Sequence, residues 1–271
     1  MIRLLAVPMI ATSATSFLLA GLFGALYVRL QRSSGAQLQY YLIYALLAGT
    51  NAVFLGSFAV LVNSSGNLIL LNISNRITIA AATFTIALAL QFFSSFYEYR
   101  PPVSLRWVYA CSVLFTVLCA IPNAKFLGWD PFPTSRFYTG LVFGPLFRLW
   151  GAYVLVISSY GLLILMLIAR RGHRRKDADD RPIRFLIAVC SLWLLTGIAD
   201  DLTGIQLIDV PPVTWFGSFA ITIAIAWVLV LQVEKLYDEK RALYDQLIHD
   251  HLTAAYSRSY FELRVAEIIR R

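Results

Sequence analysis

Charge is what this sequence has least of. Of its 271 residues only 14% are Asp, Glu, Lys or Arg, against about 25% in a soluble domain. A chain that is 59% hydrophobic at this length cannot hide its apolar surface in water, and it has too much of it for disorder. Cysteine is scarce as well. Cys111, Cys119 and Cys190 all fall inside apolar runs, so they read as small core residues and exclude a disulfide scaffold. The histidines, His173, His249 and His251, lie outside the apolar runs, which leaves haem or copper in the membrane without ligands. Lys125, Lys176, Lys235 and Lys240 also lie outside them, so a retinal Schiff base is excluded. No Ser/His/Asp or Cys/His set falls on one side of the membrane, and hydrolysis within the membrane has no support. No internal repeat is visible, which weakens a transporter built from repeated halves.

What is present is a series of apolar segments about 20 residues long, the length that spans a bilayer as helix and excludes a β-barrel. They cover roughly Pro8–Tyr27, Gln39–Val62, Leu68–Phe96, Val103–Ile121, Leu146–Ala169, Ile183–Ile205 and Val213–Gln232. The expected fold is an all-α integral membrane protein, a seven-transmembrane helix bundle over residues 1–232. Arg3 is followed by no small-residue cleavage site, so the first segment reads as a retained helix. The net charge of +8 belongs to loops beside a membrane and implies no nucleic acid. One set of loops holds Arg29, Arg32, Arg100, Arg106, Arg170, Arg171, Arg174, Arg175, Lys176, Arg181, Arg184, Lys235, Lys240 and Arg241; the other holds only Arg3, Lys125, Arg136 and Arg148. The richer side is expected to be cytoplasmic, with the N-terminus outside and the C-terminus inside. The long outer loop, Asn123–Pro145, carries Trp129, Phe132, Phe137, Tyr138 and Phe143. It reads either as an interfacial aromatic belt or as a lid over a ligand pocket.

Ionisable residues within apolar segments are candidate functional groups. Asn72, Asn75 and Arg76 stand at i, i+3 and i+4 of the third segment, on one helical face. Arg148 opens the fifth, and Asp200 and Asp201 close the sixth. Arg76 and one of the aspartates are expected to pair at the outer end and line a ligand site. The alternative is a purely structural Arg–Asp pair, or an interface anchor that snorkels.

After Gln232 the composition turns polar. From Leu229 through residues 233–248, apolar positions recur at Leu229, Val233, Leu236, Leu243 and Leu247, with Lys240 in the one polar slot. That is a 3.5-residue seam, the pattern of a parallel two-stranded coiled coil, and predicts a homodimer stalk. A solvated amphipathic helix extending the seventh span is the alternative.

The stretch 249–271 reads HDHLTAAYSRSYFELRVAEIIRR. His249, Asp250, Leu252, Thr253, Arg258 and Phe261, directly after a stalk, resemble the opening of GGDEF domains, the catalytic domains of diguanylate cyclases. Ala254, Ala255 and Ser257 depart from the family's usual Gly, Leu and Asn. The resemblance implies that Asp250 and Arg258 tie the linker to the first helix of that domain. It also implies a truncated output domain here, because the Gly-Gly-(Asp/Glu)-Glu-Phe turn is absent from the sequence. The Mg²⁺ and GTP of cyclic di-GMP synthesis would belong to that missing part, leaving no cofactor, metal or catalytic residue in this chain. The apolar region, with its Phe143-Gly144-Pro145-Leu146 stretch, resembles the seven-helix sensor modules that precede bacterial histidine kinases and diguanylate cyclases. The expectation is therefore a sensor in the bacterial inner membrane that responds to an unknown extracytoplasmic or intramembrane ligand. Two alternatives stand beside it. A histidine kinase sensor would need a proline soon after its histidine, and none follows His249. The other is a small-molecule transporter or receptor of unknown ligand; a transporter or channel would have no use for the stalk.

Overall fold

In the computed structural model the described residues are 4–34, 39–64, 66–121, 125–173, 181–204 and 206–248. Seven helices make up most of them: α1 Ala6–Ser34, α2 Gln39–Asn63, α3 Leu68–Phe96, α4 Leu105–Ala120, α5 Phe147–His173, α6 Arg181–Gly204 and α7 Thr214–Ile248. Proline confines them. Pro8 and Pro182 sit in first turns, where no backbone hydrogen bond is lost. Pro101 and Pro102 separate α3 from α4, and Pro211 and Pro212 separate α6 from α7. Side chains cap two starts: Asn67 Oδ1 accepts from Leu70 N (3.1 Å) ahead of α3, and Ser104 Oγ accepts from Arg106 N (3.4 Å) ahead of α4.

Two features depart from the sequence expectation. The bundle is not purely helical, because the outer loop folds into an antiparallel hairpin of β1 (Leu127–Phe132) and β2 (Gly140–Phe143). Pro131 stands inside β1, tolerated because a two-stranded sheet has only edges, and the register shifts between Leu127 and Pro131. The second departure is α4. Its 16 residues rise about 24 Å, short of the roughly 30 Å hydrocarbon core. Six helices, all but α4, are long and apolar enough to cross a membrane. Their outer faces carry large apolar side chains, among them Phe17 (71% exposed), Leu195 (64%) and Val156 (62%), which suits lipid and not water. These features fit a multi-pass membrane protein.

Within the unit that ends at Ile225, five helices close a ring. Lipid gives no hydrophobic drive between helices, so short polar side chains and small residues hold them together. Thr78 donates to Ser57 (2.9 Å) and Thr85 to Thr50 (3.2 Å), joining α3 to α2. The Trp150 indole donates to Thr83 Oγ1 (2.8 Å), joining α5 to α3. α5 packs on α6. The Trp193 indole donates to Ser218 Oγ (2.9 Å), joining α6 to α7. Asn51, fully buried, donates to Ser218 O (3.1 Å) and Thr222 Oγ1 (2.9 Å), and Tyr44 donates to Thr222 O (2.9 Å), returning α7 to α2. α1 lies against α2 through Ser13, whose hydroxyl donates to Ala52 O (2.7 Å) beside Gly56. α4 lies against α3 and α5 through the Tyr109–Gln91 and Ser112–Tyr153 hydrogen bonds.

The second unit starts at Ala226 and is described to Ile248 as the continuation of α7. The expected boundary at residue 233 is therefore no break in the helix. Leu236 is 41% exposed and Tyr237 70%, and Lys235 and Glu239 pair one turn apart at 3.9 Å. Leu243 and Leu247 lie on the same helix. The expected output-domain residues Asp250 and Arg258, and the whole of 249–271, lie outside the described residues.

Candidate functional site

The ring encloses a cavity of about 170 Å³ at the end that carries the hairpin. Every ring helix contributes to its wall. Phe54 and Phe58 come from α2, Asn75, Thr78 and Thr85 from α3, and Phe147, Trp150 and Ser158 from α5. Trp193, Gly197, Asp200 and Asp201 come from α6, and Thr214 and Ser218 from α7. The hairpin adds Thr134, Tyr138, Gly140 and Phe143, which is the arrangement of a lid. Trp129, at 57% exposure, stays outside the wall, as do Phe132 and Phe137.

The hairpin is tied down on two sides. On one side stands Arg76. Its Nε donates to Asn72 Oδ1 (2.6 Å), Nη1 to the carbonyls of Cys119 and Ile121 (3.4 Å for the latter), and Nη2 to Leu127 O in β1 (3.3 Å). The guanidinium also lies 5.5 Å from the centre of the Trp129 ring, within cation–π range. A cation at the carbonyl end of α4 satisfies orphan acceptors and the helix dipole together. On the other side, Gln206 donates to Pro133 O (2.9 Å), and Arg136 makes a 3.0 Å ion pair with Asp209 while its backbone N–H donates to the same carboxylate (3.3 Å). Gln206 has φ 59°, a left-handed turn residue that ends α6.

Gly140 is required where it stands. A Cβ there would lie 2.6 Å from Thr134 Oγ1, within the hairpin itself, and at an ordinary 3.5 Å from Asn75 Nδ2, so the glycine allows the close approach of Thr134 to β2.

The two aspartates differ in role. Both oxygens of Asp200 are used: Oδ1 accepts from Val213 N (2.8 Å) and Oδ2 from Thr214 N (2.9 Å). A carboxylate from α6 thus caps the start of α7, where the helix dipole favours a negative charge. Asp201 is exposed, lines the cavity and has no hydrogen-bond or ion-pair partner among the described residues. Burial holds the phenol of Tyr138 well above the usual tyrosine range, and the nearby carboxylates of Asp200 and Asp201 push it further the same way.

The structure therefore separates the residues that the sequence grouped. The expected pairing of Arg76 with Asp200 or Asp201 is corrected: Arg76 is directed to the carbonyls of α4 and β1 and is not in the cavity wall. Asn72 serves Arg76, while Asn75, only 4% exposed, lines the cavity. Arg148 is exposed and takes no part in the wall. Of the aromatic wall, the sequence singled out Tyr138 and Phe143, in the loop read as a belt or a lid; the aromatics of the helices and the polar residues Thr78, Thr134 and Ser218 were not singled out. Among the described residues no group of three or more His, Cys, Asp or Glu side chains could hold a metal ion.

Compared with protein-family models, curated proteins and solved structures, the chain matches none.

Proposed function

We propose that this chain is a membrane-embedded sensory input module, a small-molecule receptor that controls a cytoplasmic diguanylate cyclase domain. One observation carries the receptor part: a closed ring of helices holds a lidded cavity whose wall includes the first turn of α7. Thr214 and Ser218 face the cavity, and the same helix continues without interruption to Ile248. Asp200 caps α7 from α6, and Gln206 and Asp209 join the α6–α7 turn to the hairpin. A ligand that moves the hairpin or α6 therefore acts on the start of α7. The GGDEF-like run from His249 to Phe261 supports the output part, as does the heptad-spaced seam of Val233, Leu236, Leu243 and Leu247.

In this reading the chain spans the membrane seven times. The short α4 completes the crossing beside α3 and α5, and the Arg-rich loops face the cytoplasm of a bacterial cell. Two copies pair through the stalk, because cyclic di-GMP is made from two GTP molecules held by two facing domains. Mg²⁺ and GTP belong to the catalytic domain, whose carboxylates bring two-metal chemistry.

The test joins the chain at Arg271 to a diguanylate cyclase catalytic domain and measures cyclic di-GMP in cells. Inserting one heptad after Lys240 restores the seam and should preserve regulation; inserting half a heptad rotates it and should change the output sharply. Equal output from both insertions and the parent, at equal expression, contradicts control through α7.

A further inference from the structure

The chemistry of the cavity wall selects a ligand class. Of the described residues in the wall, none is Lys, Arg or His, while two are Asp. Two arginines adjoin wall residues in sequence: Arg76, beside Asn75, is spent on Asn72, on the carbonyls of α4 and β1, and on Trp129, and Arg148, beside Phe147, is exposed and outside the wall. Asp200 is likewise spent, with both oxygens on α7. Asp201 keeps a free carboxylate. An anion entering this space meets unbalanced negative charge; a cation supplies the missing partner.

The second observation is independent of the acids. Asn75 is 4% exposed and faces the cavity, yet its side-chain amide has no hydrogen-bond partner among the described residues. Its polar atoms open onto the cavity, where an N–H donor would bond its oxygen.

The third is the aromatic wall. Phe143 stacks on Phe147 (4.0 Å between centroids), and Phe147 lies 4.8 Å from Trp150. The edge of Phe143 lies 3.5 Å from where a Cβ on Gly204 would stand, one turn from Asp201. The indole N–H groups of Trp150 and Trp193 are already donated to Thr83 and Ser218. These two rings therefore offer π faces and no further donor. Aromatic faces around a carboxylate are the recognised solution for ammonium groups. The volume suits a body of about one ring, since a cavity of roughly 150 Å³ takes benzene.

We infer that the cavity binds a small organic cation, a primary ammonium on an apolar or aromatic body, with Asp201 as counter-charge and Asn75 as acceptor of an ammonium N–H. The inference rests on the receptor reading but not on the cyclase output. It is tested by binding alone, so its failure is distinguishable from a failure of output control.

The experiment uses the full chain in lipid nanodiscs and follows tryptophan fluorescence during titration with three probes of similar size: phenethylammonium, 2-phenylethanol and 3-phenylpropionate. Phenethylammonium should bind saturably and at least about tenfold more tightly than the other two. Asp201→Asn should remove about tenfold or more of that affinity, and Asp201→Glu should retain most of it. Asn75→Leu should weaken binding several-fold, which provides a second readout if Asp201→Asn does not fold. The inference is overturned if the alcohol or the carboxylate binds as well as the amine. It is also overturned if both Asp201→Asn and Asn75→Leu bind like wild type, or if phenethylammonium shows no saturable binding up to about 10 mM.

Discussion

Replacing Gly217 by alanine sets two effects of opposite sign against each other, and the structure decides between them. Gly217 lies in the first turn of α7, and alanine in a helix is favoured over glycine by about 1 kcal/mol. On propensity alone Gly217→Ala stabilises. The methyl group, however, would lie 2.1 Å from Thr196 Oγ1, 3.3 Å from Thr196 Cβ and 2.8 Å from the Cα of Trp193. Rotating Thr196 removes the first contact at the expense of its hydrogen bond to Trp193 O (2.9 Å). It cannot remove the last, because Trp193 Cα is backbone. α6 and α7 must therefore separate. That stretches the Trp193–Ser218 bond (2.9 Å) and the Thr214–Thr196 bond (3.1 Å). Overpacking of this kind costs about 1–3 kcal/mol, and backbone contact places it at the upper end. After subtracting the propensity gain of about 1 kcal/mol, the net destabilisation is about 2 kcal/mol. Reversible unfolding in mixed detergent micelles measures it directly. Adding Thr196→Ala to Gly217→Ala should recover part of the loss, not all. Equal or greater stability of Gly217→Ala than wild type would refute the claim that α6 and α7 meet here backbone to backbone.

The remaining predictions concern the ties around the cavity. Asp200→Asn leaves one acceptor for two N–H groups and removes the charge at the start of α7; it should cost about 1–2 kcal/mol in the same assay. Arg76→Met should cost about 2–3 kcal/mol, because the carbonyls of Cys119 and Leu127 lose a charged donor; adding Asp200→Asn should be additive, since the two groups do not pair. Tyr138 is neutral when folded and ionises near 10 when unfolded, so its contribution is full below that pH and declines as pH rises above it. Wild type should therefore lose stability relative to Tyr138→Phe above pH 10, with little change in the difference below it. A single cysteine replacing Leu236 should cross-link homodimers far better than one replacing Asp238; equal cross-linking argues against a paired stalk.

The helices were legible because length and hydropathy define them. The expected third segment, Leu68–Phe96, coincides with α3, and the second differs from α2 by one residue. The hairpin was not legible: its strands are short, and Pro131 and Pro133 read as turn signals. Nor was the role of Arg76. Spacing of three and four places Asn72, Asn75 and Arg76 on one face, but that face is wide enough for Asn75 to enter the cavity while Arg76 turns to α4. The partners of Arg76 are mainly backbone carbonyls, which residue types do not reveal. Adjacent aspartates look alike in sequence, yet lie about 100° apart around a helix. One therefore caps α7 and the other stands free.

The account depends on the cavity controlling the output, and filling the cavity tests this most directly. Gly197 lines the wall, and a Cβ there would meet no atom within 4 Å, so the side chain of Gly197→Leu enters the space with no clash at its Cβ. The measurement is cyclic di-GMP in cells that express the chain joined to a diguanylate cyclase domain. The account predicts that Gly197→Leu holds the output at one fixed level, unresponsive to phenethylammonium that shifts the parent. An output that follows the parent's at equal expression, with and without phenethylammonium, would contradict it.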